Sequence, residues 1–169
     1  MRDMSKMWLD EAWGEGRHVK RVEKIDDHSG IVLTNGVFDI LHKGHIELLK
    51  FSKNQGDKLI VAIDSDERVR QLKGEDRPIN NEEDRRKVLE TNRYVDSVVT
   101  FNSSEELKTL YETLCPDVVV KGSEWTADEL RERDEIPDTI QVKVYPLVGD
   151  YSTTNTMEKI RNMGSCEKI

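Results

Sequence analysis

Short apolar runs alternate with amphipathic segments along the chain from residue 31 onward. Continuous apolar runs occupy residues 31–33, 59–63 and 118–120, and such runs are typical of strands that are buried on both faces. Two more strands are predicted over residues 95–101 and 140–145. The pattern therefore predicts five strands.

Segments with helical periodicity separate these strands. In the segment near residues 81–91, Val88 and Leu89 are expected to face inward. The spacing predicts four helices, near residues 46–51, 81–91, 103–114 and 155–163.

Residues 64–80 are polar, and Gly74 and Pro78 break any long element there, so we expect a loop of functional length. Strands that alternate with helices predict an α/β fold, here a Rossmann-like, three-layer domain with a five-stranded, mostly parallel sheet. Ligands of such sheets bind beyond the carboxyl ends of the strands. We therefore expect a functional site at the carboxyl ends of the predicted strands.

The pattern divides the chain into three parts. Residues 1–30 mix aromatic residues with many charges and show no sustained period. We expect an N-terminal arm there, with one short helix that contains Trp8 and Trp13 and offers apolar area for a homodimer contact. The folded domain is predicted over residues 31–163, and residues 164–169 are a C-terminal tail.

Composition narrows the class of protein. The 169 residues leave room for one domain. The mean hydropathy is -0.70, and no apolar run approaches the roughly 20 residues that a membrane span requires. No secretory signal and only two cysteines predict a soluble, cytoplasmic protein with no membrane partner, in which Cys115 is a small core residue. A net charge of -8 argues against a nucleic-acid partner. Any anionic ligand must therefore be bound by a local cluster.

One such cluster lies in the turn after the first strand. His42 and His45 flank Gly44 where a helix is about to begin, so that both rings can lie on one face of its first turn. Gly44 lets a phosphate approach the backbone, and the helix start offers N–H groups and a positive dipole to the same anion. Metal ligation by the two histidines is an open alternative, for which the sequence shows no convincing third ligand.

The sequence here resembles a known family. The run from Asn35 through Gly36 and Phe38 to Asp39, followed by the His42–His45 motif, is similar to the cytidylyltransferase-like nucleotidyltransferases, whose signature is His-x-Gly-His after a Gly-x-Phe-Asp turn. The resemblance runs from about residue 31 to residue 161. Further landmarks of the family follow in order, namely Gly56-Asp57, Ser65-Asp66, Lys73-Gly74, Arg77 to Asn80, Arg85, Pro116-Asp117, Lys121-Gly122 and Ser152 to Thr154.

Two branches of that family are similar to this chain. Residues 73–80, 120–122 and 152–155 are most similar to the adenylyltransferase domain that makes ADP-heptose from heptose 1-phosphate. Residues 93–96 and Trp125 look like glycerol-3-phosphate cytidylyltransferase, which makes CDP-glycerol. The first expectation is therefore a heptose 1-phosphate adenylyltransferase, and the cytidylyltransferase is the alternative.

The resemblance implies that a phosphate oxygen of a sugar or polyol phosphate attacks the α-phosphorus of a nucleoside triphosphate, with release of pyrophosphate. A phosphate monoester has a second pKa of about 6, so the nucleophile is mostly dianionic at neutral pH and needs no general base. The protein must supply alignment, and positive charge for the crowded phosphorus. The expected cofactor is Mg²⁺, brought by ATP or CTP, with no metal site built from protein ligands.

Roles for individual residues follow from the resemblance. His42 and His45 are expected to donate hydrogen bonds to the α-phosphate, and Lys121 is assigned to the catalytic set as a phosphate contact. The expected nucleotide-binding residues are Thr34, Asn35, Gly36, Phe38, Gly44, Gly122, Ser152, Thr153 and Thr154. The expected substrate-binding or phosphate-binding residues are Asp39, Asp66, Lys73, Arg77 and Arg85.

Several of these assignments have alternatives. Asp39 either shapes the turn or accepts from substrate hydroxyls, and Asp66 does the same or holds Mg²⁺ through water. Thr34 either positions a phosphate or bonds to backbone. Arg86 is expected in a surface ion pair with a neighbouring carboxylate, and Trp125 either borders the acceptor pocket or packs in its loop.

The hydroxyl run at residues 152–154 is first a helix cap, and a capped helix start is also a good triphosphate site. A nucleotide-binding protein without turnover is the alternative from a different class of function. Pyrophosphate release distinguishes it from an enzyme.

Overall fold

Five parallel strands form a single sheet in the computed structural model, which describes residues 30–122, 125–146 and 152–164. The order across the sheet is β3-β2-β1-β4-β5, and every neighbouring pair is parallel. The predicted α/β class and parallel sheet are confirmed. The strands are Ile31–Gly36 (β1), Lys58–Asp64 (β2), Ser97–Phe101 (β3), Val118–Gly122 (β4) and Gln141–Tyr145 (β5).

Six helices accompany the sheet in the described ranges. Four of them correspond to the predicted helices, and two were not predicted. They are Lys43–Lys53 (α1), Asp66–Lys73 (α2), Glu82–Glu90 (α3), Ser104–Leu114 (α4), Ala127–Arg133 (α5) and Thr153–Gly164 (α6). None of these helices is long and apolar enough to cross a bilayer.

Apolar side chains cover both faces of the sheet, as the unbroken apolar runs predict. On one face, Leu33 packs in a cluster with Leu110 and Tyr111 of α4. On the other face, Val32 packs in a cluster with Leu49 of α1 and other helix residues. Consecutive β1 residues therefore point to opposite layers, which fixes the face that each residue at the strand end can reach.

The expected loop over residues 64–80 is wrong in its first half, where α2 forms. Ser65 caps this helix by accepting from the Arg68 N–H, and Asp66 and Glu67 in its first turn favour the helix dipole. Val69 is the only buried residue of α2. A helix with a single buried residue shows no apolar period, which is why the pattern missed it.

Two side-chain placements were also wrong. Leu89 is buried as predicted, but Val88 is 50% exposed. Cys115 is exposed rather than part of the core, and it caps the end of α4 in a left-handed conformation with φ 43.

The predicted arm and tail lie almost wholly outside the described residues, and so does the predicted helix with Trp8 and Trp13. The three-part division of the chain stays a prediction. The sheet itself places the site: β1 pairs with β2 on one side and with β4 on the other, so the strand order reverses between β1 and β4. Ligands of open α/β sheets bind at the carboxyl ends next to such a reversal.

Candidate active site

A cavity of about 280 Å³ opens at this reversal, beyond the carboxyl ends of β1, β4 and β5. Twelve of the predicted site residues line it: Asn35, Gly36, Phe38, His42, Gly44, His45, Lys73, Arg77, Gly122, Ser152, Thr153 and Thr154. Five predicted residues are not among its lining residues: Thr34, Asp39, Asp66, Arg85 and Lys121. The structure therefore brings most of the predicted set to one cavity and assigns the others different surroundings.

The two histidines stack on each other at the start of α1. Their ring centroids are 3.8 Å apart with 17° between the planes, and Phe38 lies against His45 with its centroid at 5.2 Å. His42 is the N-cap of α1, and its Nδ1 accepts from the His45 backbone N–H at 3.4 Å. Because an accepting Nδ1 carries no proton, a neutral His42 ring holds its proton on Nε2.

Both histidines are held neutral. Burial, helped by the charges of His42 and Lys73 and opposed by Asp39, lowers the pKa of His45 to about 4. Burial also lowers the pKa of His42. Nδ1 of His45 is buried without a hydrogen-bond partner among the described residues, which leaves Nε2 as the nitrogen that can meet a ligand. Two neutral rings can each donate one hydrogen bond, and an arriving anion raises the pKa of both.

Asp39 holds the cavity wall together. It is 1% exposed, and its carboxylate accepts from the backbone N–H groups of Ile79 at 2.7 Å and Asn80 at 3.0 Å, and from Asn80 Nδ2 at 3.1 Å. Its carbonyl oxygen accepts from Thr153 Oγ1 at 2.6 Å. The Asp39 carboxylate thus ties the turn after β1 to residues 79–80, and its role toward substrate hydroxyls stays a prediction.

Two cationic side chains line the same cavity. The Arg77 side chain is 11% exposed and its Nη2 lies 3.4 Å from Asp39 Oδ2. Its Nε is buried and without a partner among the described residues. Lys73 ends α2, and Gly74 follows it with φ 97, a conformation that favours glycine, which carries no Cβ. The cavity therefore has positive charge on the side of α2 and the segment that follows it.

Arg85 and Asp66 lie behind the cavity wall rather than in it. The Arg85 side chain is 1% exposed, and its Nη2 donates to Asp66 Oδ1 at 2.7 Å. Its other nitrogens donate to the carbonyl oxygens of Asn80 and Val37 at 3.0 and 2.8 Å. The guanidinium therefore joins Asp66 to the backbone of the cavity wall, and the expected contacts of both residues with substrate stay predictions.

Lys121 and Thr34 are also buried. Thr34 is 0% exposed and its hydroxyl has no partner in the described ranges, so the expected bond to backbone is not observed. Lys121 Nζ donates to Asn35 Oδ1 and pairs with Asp134 Oδ2 at 2.5 Å. Burial lowers the pKa of Lys121, and the Asp134 carboxylate opposes that shift. Arg133 and Lys121 in turn hold the pKa of Asp134 below its ordinary value, against the effect of burial.

The start of α6 faces the cavity. Ser152 Oγ accepts from the Asn155 N–H at 3.0 Å, so the predicted capping role is confirmed. Thr153 and Thr154 begin the helix, and both line the cavity together with Ser152. A second helix N-terminus with its positive dipole therefore points toward the space that the histidines enclose.

Sequence reasoning missed three lining residues, Val37, Leu48 and Tyr145. Tyr145 ends β5 at the carboxyl edge of the sheet, a position that could have marked it. Asp134 was missed as the partner of Lys121, and no local pattern pointed to it.

Two neighbouring residues also differ from expectation. Arg86 donates to Thr100 Oγ1 at 2.6 Å rather than forming a surface ion pair. Trp125 is 51% exposed with the Arg133 guanidinium 5.5 Å from its ring centroid, and it does not line the cavity.

The chemistry of the donors fits an anionic ligand. Within the described ranges no group of three or more His, Cys, Asp or Glu is placed to hold a metal ion. Among those residues, the stacked histidines have no third ligand of the kind that a metal-hydrolase site needs.

Comparison with known proteins agrees with this geometry. The cytidylyltransferase-like family model matches residues 33–162. The bifunctional protein HldE of Koribacter versatilis is 45% identical over 130 residues, which are 76% of this chain and 26% of that protein. HldE of Campylobacter fetus is 38% identical over 167 residues, 90% of this chain and 36% of that protein. The chain thus spans between about a quarter and just over a third of these relatives.

Solved structures show the same fold. The lipopolysaccharide core biosynthesis protein from Thermoplasma volcanium is 31% identical with a TM-score of 0.58, over 73% of this chain and 99% of that one. Pantoate-beta-alanine ligase from Francisella tularensis has a TM-score of 0.58 at 16% identity, over 86% of this chain and 73% of that one. At that identity the second likeness concerns the fold alone.

Proposed function

The chain belongs to the cytidylyltransferase-like family of nucleotidyltransferases, and from this membership we propose that its cavity transfers a nucleoside monophosphate from a nucleoside triphosphate to a sugar phosphate. The proposed pair is ATP and heptose 1-phosphate, and the products are ADP-heptose and pyrophosphate. The observation that carries the proposal is the pair of stacked imidazoles at the start of α1, which line one cavity with Lys73 and Arg77.

The arrangement suits attack on phosphorus. Negative charge grows on the α-phosphate oxygens as the fifth bond forms, and preorganised N–H donors stabilise that charge most in a water-poor cavity. His42 Nε2–H and the corresponding N–H of His45 are such donors. Lys73 and Arg77 line the same cavity, and in this proposal they bind the β and γ phosphates and thereby stabilise the departing pyrophosphate. The attacking phosphate is already mostly dianionic at neutral pH, so no side chain has to remove a proton.

Mg²⁺ enters in this proposal with the triphosphate. Phosphate oxygens and water are the ligands that Mg²⁺ prefers, and the ion would neutralise part of the triphosphate charge. Two carboxylates behind the cavity wall are engaged by the protein, Asp39 with backbone N–H groups and Asp66 with Arg85. The chain's own contribution is therefore the donors and cations that orient the triphosphate.

The choice of acceptor rests on the relatives. The HldE proteins are similar over most of this chain. Residues 73–80, 120–122 and 152–155 are the ones that resemble the ADP-heptose branch. Because the chain spans only part of the length of those proteins, the substrates are proposed for this cavity alone.

A matrix of substrates tests the proposal. The purified chain is mixed with ATP, CTP, GTP or UTP, each with heptose 1-phosphate, glycerol 3-phosphate or choline phosphate, in Mg²⁺, and pyrophosphate is followed. We expect ATP with heptose 1-phosphate to give the highest kcat/KM. Preference for CTP with glycerol 3-phosphate would overturn the choice of substrates and keep the reaction type. No pyrophosphate from any of the twelve pairs would overturn the proposal and favour a nucleotide-binding protein without turnover.

A further inference from the structure

Asn35 stands at the cavity with its side-chain amide held in one orientation. It is the fifth residue of β1, and the register that pairs Thr34 with Val120 brings Asn35 level with Lys121 of β4. Lys121 Nζ lies within hydrogen-bond distance of Asn35 Oδ1. An ammonium group has three donors and no acceptor, so the amide oxygen must face the lysine.

The lysine is itself fixed. It is 5% exposed, and its ammonium pairs with Asp134 Oδ2 at 2.5 Å. Arg133 Nε holds the same carboxylate through Oδ1 at 2.8 Å. A continuous series of polar contacts therefore runs from Asp134 through Lys121 to Asn35 and ends at the cavity.

The amide nitrogen of Asn35 is the group left to meet a ligand. Asn35 lines the cavity, and the structure gives its Nδ2 no hydrogen bond to the rest of the described residues. Since Oδ1 faces Lys121, the two N–H donors of Nδ2 point to the opposite side of the planar amide.

The surroundings of Asn35 differ from those of the histidines. Val32 and Thr34 alternate with Leu33 and Asn35 along β1, so Asn35 lies on the sheet face of α4, whereas α1 and its histidines lie on the other face. The cations that line the cavity, Lys73 and Arg77, belong to α2 and the segment after it. Among the described residues, the cation in contact with Asn35 is Lys121, whose charge is paired with that of Asp134. This side of the cavity therefore suits an uncharged part of a ligand.

We propose that Asn35 Nδ2 donates a hydrogen bond to an uncharged acceptor of the bound substrate, a base or hydroxyl oxygen or nitrogen, and that Lys121 and Asp134 are positioning residues that orient this amide. The proposal deepens the proposed function and rests on it. It replaces the expected phosphate contact of Lys121 by a role exerted through Asn35.

Paired ligands test the chemistry of the contact. The affinity of wild type and Asn35→Ala is measured by calorimetry for ATP against inorganic triphosphate, and for heptose 1-phosphate against inorganic phosphate. We expect Asn35→Ala to weaken one organic ligand about tenfold, the value of one hydrogen bond, and to leave its inorganic counterpart within twofold. The pair that responds identifies whether the nucleotide or the sugar phosphate is contacted. Equal weakening of a ligand and its inorganic counterpart, or no weakening of either pair, would overturn the proposal.

A double-mutant cycle tests the positioning role. Lys121→Met frees the amide to rotate while Asp134 keeps Arg133, and we expect it to weaken the same organic ligand about threefold. In the Asn35→Ala background the same change should have no further effect. If Lys121→Met also weakens inorganic triphosphate, or acts equally in both backgrounds, Lys121 contacts phosphate directly and the positioning role is wrong.

A matched control exists in this chain. Lys143 Nζ donates to the amide oxygen of Gln55 at 2.7 Å, and neither residue lines the cavity. Lys143→Met removes a lysine–amide contact of the same kind, and ligand affinity should not change. Should Lys121→Met prove too unstable to measure, Asn35→Ala and Asn35→Leu with the paired ligands decide the contact alone. These are binding measurements, so a failure of turnover in the substrate matrix is distinguishable from a failure here.

Discussion

Asp39→Asn is the most informative single change to the wall of the cavity. The substitution keeps the size and shape of the side chain and replaces one carboxylate oxygen by an NH2 group. Both oxygens now face donors only: Oδ1 meets the Asn80 backbone N–H and Nδ2, and Oδ2 meets the Ile79 backbone N–H and Arg77 Nη2. In either orientation of the asparagine amide, its NH2 group therefore faces N–H donors that have lost their acceptor.

The size of the effect follows from these contacts. One backbone N–H loses its acceptor in a site that is 1% exposed, and the remaining bonds lose the carboxylate charge. Hydrogen bonds to charged groups contribute about 1.5–3 kcal/mol each, so we expect the free energy of unfolding to fall by about 3 kcal/mol. Residues 77–80 should loosen at the same time, and with them Arg77, so that ATP binds more weakly.

Urea unfolding followed by circular dichroism measures the loss, and calorimetry measures ATP affinity. Asp117→Asn is the matched control, because the one hydrogen bond given for the Asp117 side chain, from the Ile31 N–H to Oδ2 at 2.8 Å, can be kept by the amide oxygen. We expect the control to lose less than about 1 kcal/mol. A similarly small loss for Asp39→Asn would refute the idea that this carboxylate holds the wall.

The remaining predictions concern turnover, pH, packing and assembly. His42→Asn and His45→Asn should each lower kcat about 10²-fold in the pyrophosphate assay, as loss of one transition-state donor does; a change under about fivefold would contradict their role. Because the pKa of His45 is lowered to about 4, the unfolded chain binds more protons between pH 6.5 and 4, so stability to urea should fall as pH falls through that range, and less so in His45→Asn. Gly56→Ala should lower the free energy of unfolding by about 1–3 kcal/mol, because its Cβ would lie 2.6 Å from the Gly30 carbonyl oxygen. An unchanged midpoint of urea unfolding would show that the backbone moves to relieve this clash. We expect a homodimer in sedimentation, and a monomer at micromolar concentration would contradict this.

The sheet and most of the site could be predicted because local signals carry them. Apolar runs mark strands buried on both faces, and the His42–Gly44–His45 motif with its preceding turn marks the first helix start. The same motif identified the family, and the hydroxyl run at residues 152–154 identified the second helix start.

The helices and side-chain roles that the sequence did not predict depend on tertiary packing. α2 and α5 are each anchored by one buried residue, Val69 and Leu130, so no apolar period shows in the sequence. The sequence predicts that Lys121 and Arg85 contact phosphate or substrate, yet each is buried beside a carboxylate that lies many residues away. Whether a charged side chain meets ligand or protein depends on tertiary partners, which spacing along the chain does not contain.

The cap at the start of α1 links ligand occupancy to backbone protection. When an anion accepts from Nε2 of His42, the ring becomes more electron-rich and its Nδ1 a stronger acceptor for the His45 N–H. Binding and helix initiation thus reinforce each other through one imidazole. The rate at which the His45 amide proton exchanges with deuterium therefore reports the fraction of protein with ligand bound, and it can be measured without turnover.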